Sequence, residues 1–224
     1  MKKDYNNFVC IIPARKGSKR IKNKNIVKIN HKPLIEYTLD ASIKVFPLKN
    51  IFVSTNDKKI IDIAKKYNIN FIRRPNSLCK DNTSSEKSIL HAIKTIETNR
   101  KIQHIVFLQV TSPLRSSNDI IRCICEYKNK KLDSIFSAYK VKRFIWTGKK
   151  KISSLTFDYK KRQRSQNLKD LIIENGAIFI FNLKKFLKAK NRIFGKFDYF
   201  EMEEEKSFDI DELKDLKLVR KLLN

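Results

Sequence analysis

Short runs of β-branched and aromatic residues alternate with stretches whose apolar residues recur every three or four positions, and this alternation most narrows the folds open to the chain. Strands are expected at 8–12, 51–54, 70–72, 105–109 and 134–138, and helices at 34–45, 58–67, 85–96 and 119–127. A strand repeats its faces every two residues and a helix every 3.6, so the two patterns separate cleanly along the sequence. Strands joined through helices cannot pair as tight hairpins. They line up side by side instead, giving a doubly wound α/β domain with a mainly parallel sheet. Ligands of such a sheet gather at the carboxyl ends of its strands.

After Tyr139 the pattern becomes irregular. The stretch 140–169 is strongly basic and carries Phe144, Trp146, Phe157 and Tyr159, which reads as an inserted lobe at about 140–172 within one domain spanning 1–224. Strand character returns at 177–181, and 212–223 reads as a closing amphipathic helix with Leu213, Leu216, Val219 and Leu223 on its apolar side. A chain of 224 residues with 41% hydrophobic content can bury the core such a domain needs.

The 50 Lys and Arg against 23 Asp and Glu leave a formal net charge of +27, which favours anionic partners without choosing among nucleotides, nucleic acid, acidic sugars or anionic membranes. Much of the excess is lysine scattered along the chain, the pattern of solvated faces. Cys10, Cys79, Cys123 and Cys125 lack paired Cys-x-x-Cys spacing and fit reduced thiols in a cytoplasmic protein. No apolar run approaches a membrane span, and 8–12 is too short and too closely followed by charge for a signal peptide, so no membrane partner is expected. His31, His91 and His104 lie in no metal-binding or hydrolase context and are expected to be structural or solvated.

Two segments suggest chemistry. The first, 13–25, follows the first strand directly and holds Arg15, Lys16, Gly17, Ser18, Lys19, Arg20, Lys22 and Lys24. Its cations and backbone N–H groups suit phosphate oxygens, yet the Walker A pattern is absent, and a solvated basic turn is the plainer reading. The second is Ser207-Phe208-Asp209-Ile210-Asp211. In an extended segment residues two apart share a side, so both carboxylates can converge on one hard cation; alternatively Asp211 simply starts the closing helix. Asp81, Thr83, Ser84 and Ser85 carry the same ambiguity, since they could merely start the helix at 85–96.

The first loop, from Ala14 to Asn25, is similar to the corresponding loop of the acylneuraminate cytidylyltransferases, the CMP-sialic acid or CMP-nonulosonic acid synthetases. The resemblance continues in order through Ser54-Thr55-Asn56-Asp57, Arg74-Pro75 leading to Asp81-Asn82-Thr83-Ser84-Ser85, Leu108-Gln109-Val110-Thr111-Ser112-Pro113-Leu114-Arg115, Asn175-Gly176-Ala177-Ile178, and the aspartate segment. Each motif is weak alone, and their order across nearly the whole chain is specific.

The resemblance implies a Rossmann-like nucleotidyltransferase with a small dimerisation lobe. Its expected reaction transfers CMP from CTP to the anomeric hydroxyl of a nine-carbon sugar acid, releasing pyrophosphate, with Mg²⁺ as cofactor and a homodimer as the assembly. Arg15, Lys24 and Asp211 match catalytic positions, and Asp209 and Asp211 match the metal-binding pair. Ala14, Arg15, Lys24, Asn25, Arg74, Asn82, Ser84 and Gln109 match positions that hold CTP. Amide side chains offer both donor and acceptor to a pyrimidine edge, and Arg74 offers a fork for phosphate or ribose.

For the sugar, Gln109 and Gln166 are retained, while Ser165 stands where many members have arginine. Arg162, Arg164 and Lys142 are therefore the candidate partners for the sugar carboxylate. Phe144 and Trp146 are expected either at a subunit interface or in the pocket. A CMP-Kdo synthetase is the nearest alternative. A basic nucleic-acid-binding domain is the alternative from another class, and no recognisable nucleic-acid signature supports it.

Overall fold

A computed structural model describes residues 5–96 and 102–223. In chain order the strands and α-helices are β1 (Phe8–Pro13), β2 (Lys28–Ile29), β3 (Lys32–Pro33), α1 (Leu34–Ile43), β4 (Ile51–Thr55), α2 (Lys58–Lys66), β5 (Asn70–Arg73), α3 (Ser85–Thr95), β6 (His104–Leu108), α4 (Ser117–Asn129), β7 (Ser134–Val141), β8 (Trp146–Thr147), β9 (Ser153–Ser154), β10 (Leu171–Asn182), α5 (Leu183–Ala189), β11 (Phe197–Glu201) and α6 (Leu213–Leu222). Seven strands form the main sheet in the order β11-β7-β10-β6-β1-β4-β5. All neighbours run parallel except β10, which is antiparallel to both β6 and β7. The expected doubly wound, mainly parallel sheet is therefore present.

The alternation along β1 shows how the layers are made. Phe8, Cys10 and Ile12 enter one core with Leu34 and Leu39 of α1, Ile60 of α2, Ile120 and Ile124 of α4, and Leu216 and Val219 of α6. Val9 and Ile11 enter the other, with Ile89 and Ile93 of α3 and Phe186 of α5. A strand buried on both faces must be apolar throughout, which is why β1 reads as a continuous run. Burying each such side chain contributes about 1.5–3 kcal/mol against the entropy of ordering the chain.

Helix starts follow the local chemistry. Asp57 accepts the Lys59 N–H at 3.0 Å ahead of α2, and Ser116 and Asp119 form a reciprocal capping box at α4. Several boundaries depart from the periodicity. The helix expected to run to 45 ends at Ile43, because Pro47 disfavours helical backbone just before it, and Val45 and Phe46 turn into the core.

The expected lobe is also smaller than 140–172. Strand β7 continues to Val141 and β10 begins at Leu171, where Leu171 is the register partner of Val141. Pairing with a neighbouring strand set these ends; local alternation did not mark them. Between them an exposed arm carries the small β8–β9 hairpin and a ring cluster in which Phe157 meets Phe144 at 4.9 Å and Trp146 at 5.2 Å. Besides the two-residue strands β2, β3, β8 and β9, two longer elements escaped the sequence reading altogether. Strand β11 is an edge strand with charges among its aromatics, and α5 is only one to two turns long.

His104 stacks on Phe8 at 4.7 Å and meets the Tyr127 hydroxyl at 3.0 Å. Burial and the Lys128 charge pull its pKa down to about 4, which fits a neutral structural imidazole. The four cysteines are free, and Cys10 and Cys123 are buried. Among the described residues no helix is long and apolar enough to cross a membrane.

Candidate active site

The loop after β1 rises from the carboxyl end of the sheet. Ala14 anchors its start, with its N–H donating to the Ser54 carbonyl at 2.9 Å and its own carbonyl accepting from Thr55 Oγ1 at 2.5 Å. Gly17 and Asn23 take positive φ of 83° and 55°, turning the loop back over the strand ends. Asn25 Nδ2 then donates to the Arg15 carbonyl at 2.9 Å and closes the loop on itself. A cleft of about 220 Å³ opens here, lined among others by Arg15, Lys24, Asn25, Arg74, Ser85 and Thr111.

Arg74 is almost fully buried. Its guanidinium donates to Ser54 Oγ at 3.1 Å and to the Ser54 carbonyl at 2.9 Å, so β4 fixes its orientation. Burial first, and the nearby Arg15 charge with it, pull its pKa below the usual range, an arrangement that an anion in the cleft would relieve. Lys24 reaches the aspartate segment, donating to the Ile210 carbonyl and to Asp211 Oδ1, each at 2.9 Å. Arg20, to which the sequence reading gave no role of its own, meets the other oxygen of Asp211 at 2.8 Å.

The two aspartates differ sharply. Hydrogen bonds from Lys24 and then the Lys24 and Arg20 charges hold Asp211 below the usual carboxylate range. Asp209 is mostly buried; desolvation, with Asp211 adding repulsion, pushes its carboxyl up. By strict geometry neither its Oδ1 nor Thr111 Oγ1 completes a hydrogen bond, yet the Thr111 hydroxyl lies close enough to offset part of that shift. The Ile210 N–H is tied to the Thr111 carbonyl at 2.9 Å, which places the aspartate pair beside the end of β6. Asp211 does not cap α6 through its carboxylate. Asp215 performs that task, accepting the N–H groups of Asp211 and Glu212 at 3.0 and 2.7 Å. The helix-start reading of Asp211 is thereby overturned.

Two carboxylates close enough to repel each other, one of them buried without a completed hydrogen bond, fit a hard divalent cation that takes its remaining ligands from phosphates and water. Among the described residues no group of three or more His, Cys, Asp or Glu forms a protein cage for a metal.

Ser84 caps α3, accepting the Lys87 N–H at 3.4 Å, so the capping reading holds for Ser84, whereas Asp81 turns to Arg15 and Lys19. Asn82 is exposed just before it. Gln109 follows β6, and its side chain packs against Gly176, where an added Cβ would lie 3.1 Å from Gln109 Nε2. Gly176 also has φ +70°, so alanine there would strain the backbone by about 1–2 kcal/mol and push Gln109 aside. Gly176→Ala is expected to lower kcat/KM for the nucleotide by about tenfold, an effect of misplacement, with only a modest fall in melting temperature. Kinetics beside a thermal melt checks this; unchanged kcat/KM removes Gln109 from the site.

Arg115 is a further residue that the sequence reading placed in a motif without a task. It is buried, and its guanidinium donates to the carbonyls of Gln109 at 3.0 Å and Ala177 at 2.9 Å and to Thr38 Oγ1 at 2.8 Å. It thus joins the end of β6 to the irregular middle of β10, bringing Gln109 and Gly176 together. Burial draws its pKa down to about 10.

Asn175 does the same for the acidic half. It accepts from Ser137 Oγ at 2.6 Å and donates to Ser207 Oγ at 2.8 Å, fixing the segment that leads into Asp209.

The candidate sugar residues Arg162, Arg164 and Gln166 are exposed on the arm and are absent from the lining of the cleft. The Arg162 guanidinium lies 4.1 Å from the centre of the Phe144 ring, and Lys142 Nζ donates to the Gln166 carbonyl at 2.7 Å. Arg192 is a different cation near the cleft. It lies over Phe179 at 4.6 Å and within 5.8 Å of Phe107, a cleft-lining residue, and its Nη1 is buried with no hydrogen-bond partner.

The cytidylyltransferase family profile matches residues 9–224. The N-acylneuraminate cytidylyltransferase of Streptococcus agalactiae serotype III is 34% identical over 209 residues, which cover 91% of this chain and 50% of that protein. The chain thus spans about half the length of that relative. The pseudaminic acid cytidylyltransferase of Campylobacter jejuni is 28% identical over 219 residues, covering 95% of this chain and 94% of its own. Among solved structures, a CMP:2-keto-3-deoxy-manno-octonic acid synthetase complexed with CTP superposes with a TM-score of 0.66 at 16% identity, over 96% of this chain and 98% of that one. At that identity the likeness concerns the fold.

Proposed function

Because the chain belongs to the cytidylyltransferase family, we propose that it transfers CMP from CTP to the anomeric hydroxyl of a nonulosonic acid and releases pyrophosphate. The observation that carries this reading is the cleft at the strand ends, where Arg15, Lys24 and Arg74 gather and Lys24 reaches on to Asp211. Attack of the sugar hydroxyl on the α-phosphorus forms one P–O bond and breaks the bond to pyrophosphate. Negative charge builds on the phosphoryl oxygens and the leaving group, and cations fixed in advance stabilise it without reorganising.

Arg15 and Lys24 supply such charge from the loop, and Arg74 supplies it from a position locked by Ser54. Asn25 and Gln109 offer amide groups to the nucleotide, with Ala14, Asn82 and Ser84 shaping the surrounding turns. Asp209 and Asp211 would hold Mg²⁺, which when bound neutralises triphosphate charge. The exposed Trp146, Leu155 and Tyr159 of the arm suit a homodimer contact, and free thiols suit a cytoplasmic setting.

The test is pyrophosphate release from CTP across a panel of N-acetylneuraminic, legionaminic, pseudaminic and Kdo acids, beside thermal shifts with CTP plus Mg²⁺ and with oligonucleotides. Turnover with a nonulosonic acid is expected, with a CTP-specific shift; a salt-sensitive shift with any oligonucleotide and no turnover would mark a nucleic-acid binder instead. Arg164, exposed on the arm outside the cleft, is assigned to the sugar carboxylate. Arg164→Ala is expected to raise the sugar KM about 30-fold or more, as loss of a guanidinium–carboxylate pair does, with the CTP KM little changed and Arg162→Ala milder. An unchanged sugar KM moves the assignment to Arg192.

A further inference from the structure

We propose that Asp81 is a resident counter-ion that a polyphosphate must displace, and that it sets how tightly the cleft holds its nucleotide. The inference rests on the nucleotide reading above and concerns a residue to which that reading gives no role. Asp81 Oδ1 accepts from Arg15 Nη2 at 2.6 Å, and its Oδ2 lies 2.7 Å from Lys19 Nζ. Both carboxylate oxygens are thus engaged by cations of the loop after β1. Asp81 lines one cavity together with Arg15, Lys19, Lys24 and Asp211, so the pairing occurs inside the charged cleft.

The rest of the Arg15 guanidinium is held from behind. Its Nη1 donates to the carbonyls of Gly17 at 3.1 Å and Cys79 at 3.3 Å, which leaves Nη2 as the group turned to an anion. In this structure that anion is Asp81. The carboxylate is not needed to start α3, because Ser84 does so. Hydrogen bonds from Lys19 and Arg15 hold the Asp81 carboxyl below its ordinary range, so it stays charged at neutral pH.

The side chain is 43% exposed, and ion pairs so open to water are weak and easily exchanged. A triphosphate offers the same cations several oxygens and more charge. It must first free Arg15, and it then lies beside a like charge. Affinity built against a resident anion favours ligands rich in charge over those poor in it.

The sign of the effect separates this role from a structural one, since damage to the loop weakens binding whereas removal of a competitor tightens it. Calorimetric titration of wild type, Asp81→Asn and Asp81→Ala with CTP and with inorganic tripolyphosphate, at one low salt concentration, reads it directly. Both variants are expected to melt like wild type and to bind both ligands between about twofold and thirtyfold more tightly, the range implied by two partly exposed ion pairs. Unchanged or weaker binding in the variants overturns the proposal. If wild type prefers CTP to tripolyphosphate yet the variants gain nothing, the counter-ion role falls and the nucleotide reading stands. If the variants tighten on both ligands and wild type shows no preference for CTP, the counter-ion role stands and the cytidine reading falls. Binding of neither ligand by wild type removes both.

Discussion

Asp209→Asn is expected to cut turnover by about a hundredfold or more while leaving the protein as stable as wild type or slightly more so. The two halves of this expectation have one cause. Asp209 is a mostly buried carboxyl whose ionised form is disfavoured by desolvation, an effect that the nearby Thr111 hydroxyl offsets only in part. A group kept charged against that cost contributes nothing to the fold, so a neutral isostere relieves it. On the function proposed above, what the charge contributes is a ligand for a cation facing the triphosphate.

Asp211→Asn should lose activity similarly and behave differently in a melt. Its ion pairs with Lys24 and Arg20 disappear, and because its side chain is half exposed they are worth at most about 1 kcal/mol each. Turnover titrated against Mg²⁺, beside thermal melts of both variants, checks the pair. Near-normal turnover with unchanged Mg²⁺ dependence would remove the metal role from both residues.

Lys24→Ala should lower kcat by about two to three orders of magnitude, the cost of removing one fixed group that stabilises transition-state charge. Lys24 is largely withdrawn from solvent, its side chain being 13% exposed, and it joins the loop to the aspartate segment through Ile210 and Asp211. Arg15→Ala should act in the same direction and less severely, because Arg15 is more exposed and already shares its charge with Asp81. Steady-state kinetics with saturating CTP decides between a catalytic loop and a solvated basic turn. Full kcat in both variants would select the turn.

The layers were legible because burial imposes period. Strand β1 had to be apolar throughout, and helices α1, α2 and α4 had to carry one apolar stripe each, so pattern alone placed them. The ends of β7 and β10 were not legible, since Leu171 becomes a strand residue only by meeting Val141 across the sheet. Strand β11 was hidden for the opposite reason: an edge strand tolerates Asp198 and Glu201, which break the apolar signal.

In the site, the ordered motifs brought Arg15, Lys24 and Arg74 to one cleft, with Lys24 reaching Asp211. The task of Arg115 could not be read, because its partners are backbone carbonyls, which leave no trace in residue type. A large charged residue directly after an apolar motif at the end of a strand was the only hint. Arg192 left no pattern at all. Its position depends on the turn after α5 folding back onto the sheet.

The way the arm is rooted has a consequence for how such a protein can change over generations. The arm leaves and re-enters the sheet at two residues, Val141 and Leu171, that are register partners, so the gap it must bridge is already closed by strand pairing. The cost of closing a loop rises only with the logarithm of its length, and residues can be gained or lost there at a fraction of a kcal/mol. The sheet would not register the change. The arm is in effect a cartridge: its length and its exposed apolar residues are open to selection independently of the strand pairing below.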